Sequence, residues 1–499
     1  MEEIMSSGYA ISEYHDVDEV MRQLNHLISL PRIDLKPEAL KKYEQWFEDH
    51  CKKSKVLIQE AMEYIPGGVQ HNLAFNHPFP LVIEKAQGAY LYDVDGNKYI
   101  DFLQAGGPTV LGSNPKAVRE KVIELLNNGG PSTGLFHQFE RKLCQKIAET
   151  LPSVDMVRLL NSGTEADMVA IRIARLATKH KNVVKMGGAY HGWSDQLAYG
   201  IRIPGSRHLE AHGVPKNCFK YTQEFFPNSI KSLKRVLRRN QFHGGTAAVL
   251  IEPLGPESGT RPLDKDFNQK VRELCDKYGA LLIFDEVVTA YRVGMQGAQG
   301  YFGVNPDLTV LGKVIAGGYP SAGAIAGKKE YMKYLSAGIA GGKNKKALVG
   351  GTMAANPLSS LAGYYTLCEI ERTKACEKAG KAGDRLTKGL QALIKKYDLP
   401  FVAFNQGSIC HLETAGAMLF SVNWAKPWTI LKSVKEAKAR KKLMEHIGCA
   451  YMAEGIVTLA GSRMYTSAAT TDAIVDEALK RFERVFKNID RTYIDAAKK

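Results

Sequence analysis

LLIFDEV (281–287) decides the reading of this chain: an apolar run of strand length that ends on a carboxylate, Asp285. A strand buried on both faces reads as a near-continuous apolar run, not as an alternation. The same texture recurs around it in VRLL (157–160), NVVKM (182–186), AAVLIEP (247–253), LTVLG (308–312) and AGAIAG (322–327). All six are expected to be buried parallel strands. Between them, ADMVAIRIARLAT (166–178) and FNQKVRELCDKYG (267–279) carry apolar residues at helical spacing. Strands alternating with helices build a parallel sheet covered by helices, so the fold class is α/β.

Outward from this centre the texture changes. KPEALKKYEQWFEDHCKKSKVLIQEAME (36–63) is made of good helix formers and is stopped by PGG (66–68). AYLYDVDGNKYIDF (89–102) alternates like a hairpin with Asp95-Gly96 at its turn. A long helical pattern follows Pro357, and the amphipathic AIVDEALKRFERVFKNI (473–489) closes the chain. The expected division is a helical N-terminal extension over 1–60 and the first part of a small domain over 61–110. A large α/β domain then spans 111–360, and an interdomain helix with the rest of a small α+β domain spans 361–499.

Composition narrows the function classes. The chain has 499 residues, 44% hydrophobic and 24% charged, which suits a globular protein with an ordinary core. No run of 18 apolar residues is present, and the acidic start (MEEIMSSGYAISEYHDVDEV) lacks an apolar signal segment. A cytoplasmic protein with no membrane partner is expected. The eight cysteines form no C-x-x-C pair, so reduced thiols are expected, without a zinc framework. The net charge of +15 invites a nucleic-acid partner. Yet the basic runs, Lys343–Lys346 and KSVKEAKARKK (432–442), lack interleaved aromatics and read as solvated faces. A positive field also gathers anionic small molecules.

Three motifs carry chemistry. NSGTEA (161–166) sits between a strand and a helix, where small residues and free N–H groups suit a phosphate. The plainer alternative is a helix cap by Ser162 or Thr164 with Glu165 at the positive end. Asp285 stands at the C-terminal end of its strand, where open α/β sheets bind ligands. A metal is the competing ligand there, but strand alternation sends Asp285 and Glu286 to opposite faces. Lys313, in LGKVIAGGYP (311–320), follows another strand; on a partly apolar shelf a lysine becomes a Schiff-base nucleophile, whereas most lysines are merely solvated. A phosphate cradle, an acid for a pyridinium nitrogen and a lysine for an aldehyde are the three anchors of pyridoxal phosphate. In AYHGW (189–193), Tyr190 is preferred to Trp193 as the ring cover.

With these residues in view, the chain resembles the class III pyridoxal-phosphate-dependent aminotransferases of fold type I, nearest the glutamate-1-semialdehyde 2,1-aminomutase group. The resemblance runs from about Pro66 to about Phe486. It rests on PGGV (66–69), YDVDGNKYIDF (92–102), NSGTEA, GAYHGW (188–193), IEPLGPESG (251–259), FDEVVTAYR (284–292), PDLTVLGKVIAGG (306–318) and GGTMAANPL (350–358). It implies that Lys313 forms the Schiff base and shuttles protons, and that Asp285 pairs with the pyridine nitrogen. Val287 and Tyr190 would cover the two ring faces, with His191 beside Tyr190. Ser162, Gly163 and Thr164 would bind the phosphate. Thr352 would reach that phosphate from a second subunit, so a homodimer with shared sites is implied.

The departures fall where substrate is chosen. Ala74 and Phe75 stand where many relatives carry an arginine for a substrate carboxylate, and Glu257 stands where the aminomutase branch favours Asn. Arg292 and Arg463, with Arg202 behind them, are the replacement candidates, because a guanidinium binds a carboxylate in bidentate fashion. A structural ion pair, with Glu286 or Glu257, is the alternative for each of the three. Glu257 could instead meet a substrate ammonium. The expected activity is amino transfer from an amino acid or amine to an oxo acid or aldehyde. An aminomutase or a racemase (epimerase) is the alternative on the same motifs, and a non-catalytic cofactor-binding subunit is the rival from another class.

Overall fold

A computed structural model describes residues 8–336, 345–422 and 427–492. Part of the basic run Lys343–Lys346 lies outside the described residues. The chain separates into two compact units: Met1–Tyr9, Lys116–Cys376 and Ser421–Ile430 in the first, and Ala10–Pro115, Glu377–Phe420 and Leu431–Lys499 in the second.

The first unit is organised by a seven-stranded sheet. Its strands are β1 (Met156–Leu160), β2 (Asn182–Met186), β3 (Thr222–Phe225), β4 (Thr246–Ile251), β5 (Leu281–Asp285), β6 (Leu308–Gly312) and β7 (Gly323–Gly327). Their order across the sheet is β1-β7-β6-β5-β4-β2-β3. Strands β2 to β6 pair in parallel, with Asp285 opposite Val310 between β5 and β6. Every residue of β2, β4, β5 and β6 is buried, which is why the sequence shows unbroken apolar runs there.

Two expectations are corrected: VRLL lies in β1, an edge strand that is partly exposed and pairs antiparallel with β7. AGAIAG forms β7, but β7 runs antiparallel to both of its neighbours, β1 and β6. The chain returns from β6 through a single 3₁₀ turn, Lys313–Ala316, and Gly317–Gly318. A parallel return needs a crossover of about a dozen residues or more, usually a helix, and no helix fits this connection. Strand β3, TQEF, has no apolar run to announce it; it is a short edge strand with a mixed burial pattern.

Helix α1 (Gly163–Thr178) follows β1 and lies against the sheet. Ser162 caps it by accepting the N–H of Glu165, and Lys179 ends it in the left-handed conformation. Its buried face carries Ala166, Val169, Ala170, Ile171, Ile173 and Ala174, and also Asp167. Each fully buried Val or Ile here contributes ~1.5–3 kcal/mol, so α1 is anchored by its apolar face.

The second unit has its own core, including Phe47, Phe102, Leu386, Leu412, Tyr451 and Phe482. The helical stretch expected over 36–63 is two helices, Pro37–His50 and Lys52–Ala61, broken where Cys51 leaves helical geometry at φ −125° and ψ 39°. The expected hairpin is present: Tyr90–Asp93 pairs antiparallel with Lys98–Asp101. Buried Asp93 closes the turn by accepting the N–H of Asp95 and of Asn97. A separate three-stranded sheet holds Val402–Gln406, Ile409–Glu413 and Arg463–Tyr465. All eight cysteines are free. Among the described residues no helix is long and apolar enough to cross a membrane.

Candidate active site

The C-terminal ends of β5 and β6 supply the two central residues. Asp285 closes β5 and is 6% exposed. Its Oδ1 accepts the N–H of Val287 at 3.0 Å, and its Oδ2 faces His191 Nδ1 at 2.7 Å. Burial pulls the His191 pKa down although Asp285 pushes it up, so the imidazole is neutral and Nδ1–H donates to the carboxylate. Lys313 follows β6 directly, half-buried, with a left-handed backbone at φ 49°. That conformation costs a non-glycine residue about 1–2 kcal/mol and directs the chain out of the strand at this position.

Close backbone approaches bring the remaining motif residues together. A Cβ placed on Gly163 would lie 2.8 Å from Val287 Cγ2, so the first residue of α1 packs directly on Val287. A Cβ on Gly192 would lie 2.2 Å from Thr164 Oγ1, which sets the Tyr190–Gly192 loop over the start of α1. Gly351 lies against Asn161 Nδ2 of the same chain, and Thr352 beside it is exposed. The helix start with its unsatisfied N–H groups, Val287, Asp285, His191 and the Tyr190 loop therefore form one cluster. Ser162 Oγ accepts the N–H of Glu165 as the helix cap, which leaves its own hydroxyl proton to donate; the N–H groups of Gly163 and Thr164 are the first donors of the helix without an intrahelical partner.

Two residues that sequence reasoning missed hold the Tyr190 loop. Glu252, just after β4 and fully buried, accepts the N–H groups of Tyr190 at 3.0 Å, Glu257 at 2.8 Å and Ser258. Burial, reinforced by Asp285, raises its pKa to about 7. Lys185 in β2 is fully buried and donates to the carbonyls of Ala189 at 2.9 Å and Tyr199 at 2.7 Å, while burial lowers its pKa to about 8. A charged residue inside an otherwise apolar strand was the available signal for Lys185. A third residue, Asp167, is 1% exposed on the inner face of α1; an acid at an apolar position of the helical period marked it.

The substrate candidates separate. Glu257 and Ser258 both adopt left-handed backbones, at φ 47° and 54°, with Glu252 holding their N–H groups. Arg202 Nε lies 3.8 Å from Glu257 Oε1, and its Nη1 lies 3.7 Å from Glu210. Tyr190 is 46% exposed, and burial together with Glu257 raises the pKa of its hydroxyl. Arg292 is fully buried, and Arg463 belongs to the second unit, in strand Arg463–Tyr465. Glu286 is buried and consumed by Thr289, by the N–H groups of Ala298 and Gln299, and by the Gln299 amide. It is not available to share a metal with Asp285. Asp167, His191 and Asp285 offer atoms within 4.8 Å of one another, and His191 and Asp285 face each other at hydrogen-bond distance.

This arrangement can take an anion at the start of α1, a protonated ring nitrogen at Asp285 and a carbonyl carbon at Lys313. A glutamate-1-semialdehyde 2,1-aminomutase of Bacillus licheniformis is 36% identical over 449 residues, covering 88% of this chain and 99% of the relative. An omega-transaminase from Sphaerobacter thermophilus superposes with a TM-score of 0.76 at 26% identity, covering 87% of this chain and 97% of that one. A transaminase solved with PLP bound gives the same TM-score and identity over 90% of this chain and 99% of its own. The family of class III aminotransferases matches residues 73–486, and the chain belongs to it.

Proposed function

We propose that this chain is a pyridoxal-phosphate-dependent aminotransferase that moves an amino group from an amino acid or amine to an oxo acid or aldehyde, with Lys313 holding the cofactor. The observation that carries the reading is the hydrogen-bonded Asp285–His191 pair at the end of β5, with the start of α1 packed on Val287 beside it and Lys313 ending the next strand. The donor set fits the cofactor: a buried carboxylate for a ring nitrogen, orphan helix N–H groups for a phosphate, and Val287 and Tyr190 as apolar faces for a ring.

Bound, pyridoxal phosphate supplies an aldehyde that takes up an amine and a pyridinium ring that accepts the electrons of the neighbouring C–H bond. The chain's residues set the conditions. Asp285 keeps a proton on the ring nitrogen, and His191 orients Asp285. Lys313, with its amine at the end of the neighbouring strand, would take the proton from the carbon that bears the amine and return it two atoms along, to the carbon on the other side of the nitrogen. Glu252 keeps Tyr190 and Glu257 in register, so ring cover and substrate selector move as one. Arg202, paired with Glu257, and Arg463 are the cations proposed for a substrate carboxylate. A homodimer, with Thr352 donated by the second copy, belongs to the same proposal.

A second reading is an aminomutase, which returns the amino group to another carbon of the same molecule; the 36% identity to such an enzyme over most of the chain favours it. The two separate in one experiment. The holoenzyme is titrated with a panel of amino acids and amines while its visible spectrum and the oxo product are followed. Conversion to the aminated cofactor with stoichiometric oxo product supports transamination. Isomerised substrate without an oxo product supports the mutase, and no visible band after adding pyridoxal phosphate overturns both.

A further inference from the structure

Beneath the ring-nitrogen carboxylate lies a second acid. Asp167 projects from the inner face of α1, 1% exposed, and its carboxyl lies in the group whose atoms fall within 4.8 Å of Asp285 and His191. Asp285 is already supplied with two donors, the Val287 N–H and His191 Nδ1–H. Asp167 Oδ1 is buried without a hydrogen-bond partner, and so is His191 Nε2. The charged groups facing Asp167 are Asp285, Lys185 and Glu252, and the only cation among them, Lys185, has its ammonium committed to two carbonyls. Two carboxylates this close in a sealed site do not both ionise.

We propose that Asp167 is a positioning residue that stands as a neutral acid and donates its proton to Asp285, fixing Asp285 as an anion aimed at the ring nitrogen. The inference rests on the reading of Asp285 as the ring-nitrogen partner. The choice of which acid carries the proton follows from the donors: Asp285 has two and Asp167 has an orphaned oxygen. Burial first, and Asp285 second, drive the Asp167 pKa well above its ordinary value, in agreement. A third donor leaves Asp285 the acceptor of three hydrogen bonds, so it meets the ring nitrogen as an acceptor and the shared proton stays on the ring. With neutral His191, the cluster then holds one negative charge, matching one pyridinium.

The test compares Asp167→Asn, which keeps shape and an N–H donor, with Asp167→Ala, which removes the donor. In the apoprotein at neutral pH, infrared spectroscopy with labelled aspartate should show a protonated-carboxyl stretch that D167N abolishes. The folded-state pKa lies above the unfolded value of about 3.9, so the contribution of Asp167 to stability is full below that pH and is lost as pH rises. The apoprotein midpoint of D167N should therefore gain on the wild type with increasing pH. In the holoenzyme, the pH at which the visible spectrum changes should stay put in D167N and move by about one unit in D167A. An absent infrared band with a flat stability difference, or equal spectral shifts in both variants, would overturn the proposal. If the cofactor does not bind at all, the proposed function fails, while the infrared band and the stability slope still decide where the proton sits.

Discussion

The carboxylate of Asp285 is held from two sides by Val287 N–H and His191 Nδ1–H, and this small network concentrates the chemistry proposed for the site. Replacing Asp285 by Asn keeps the shape but removes the charge that holds the ring proton; turnover should fall by about 10²–10⁴, measured as kcat on any accepted donor, with cofactor retained. Lys313→Ala should remove both the visible band and turnover. Glu252 gives a pH signature of its own. Its folded pKa of about 7 lies above the unfolded value of about 4.3, so its stabilising contribution is complete below that and lost as pH rises toward 7. Chemical denaturation of Glu252→Gln against the wild type should show a difference that shifts in favour of the variant between those limits; parallel curves would refute the assignment. Asp285 and Lys313 are legible in the sequence because each punctuates the end of an apolar run. Asp167 and Lys185 leave only a trace, a polar residue at a position the apolar pattern buries, and Glu252 leaves none: what each one holds depends on partners distant in sequence.

At the scale of elements, the site depends on how closely three backbones approach. Gly192 sits on Thr164, and a Cβ there would come within 2.7 Å of Thr164 Cα as well as striking its hydroxyl. Gly192 also has φ +76°, so Gly192→Ala combines backbone strain with overpacking. It should cost about 1–3 kcal/mol in equilibrium unfolding and weaken cofactor binding together. Gly134, also at positive φ but with no atom within 4 Å of a built Cβ, is the control that should affect binding little. The apolar pattern shows where strands and helices lie, and the length of each connection carries the direction. Strand β7 marks the limit: its apolar text is the same in either direction, and only the short link from Lys313 to Ala322 makes it antiparallel. Helix α1 is legible to within a few residues because its cap, period and left-handed end are local signals.

At the scale of the molecule, the chain divides into two units, and Asp285, His191, Val287, Lys313 and the start of α1 all belong to the first. The sequence motifs that carry the resemblance to class III aminotransferases fall in both units, which is why fold class and family are legible in the amino-acid order alone. Assembly is not, since a two-fold interface is a property of surfaces with no periodic signature. If Thr352 of a second copy completes the phosphate site, Thr352→Ala should weaken cofactor binding about tenfold or more, the loss of a hydrogen bond to a charged group. Sedimentation should give twice the chain mass of 55.1 kDa. The central claim is that Lys313 is the residue to which the cofactor is joined. Borohydride reduction of the holoenzyme followed by peptide mass mapping tests it most directly. One pyridoxyl phosphate per chain is expected, on Lys313; label on another lysine, or none at all, would remove Lys313 from that role.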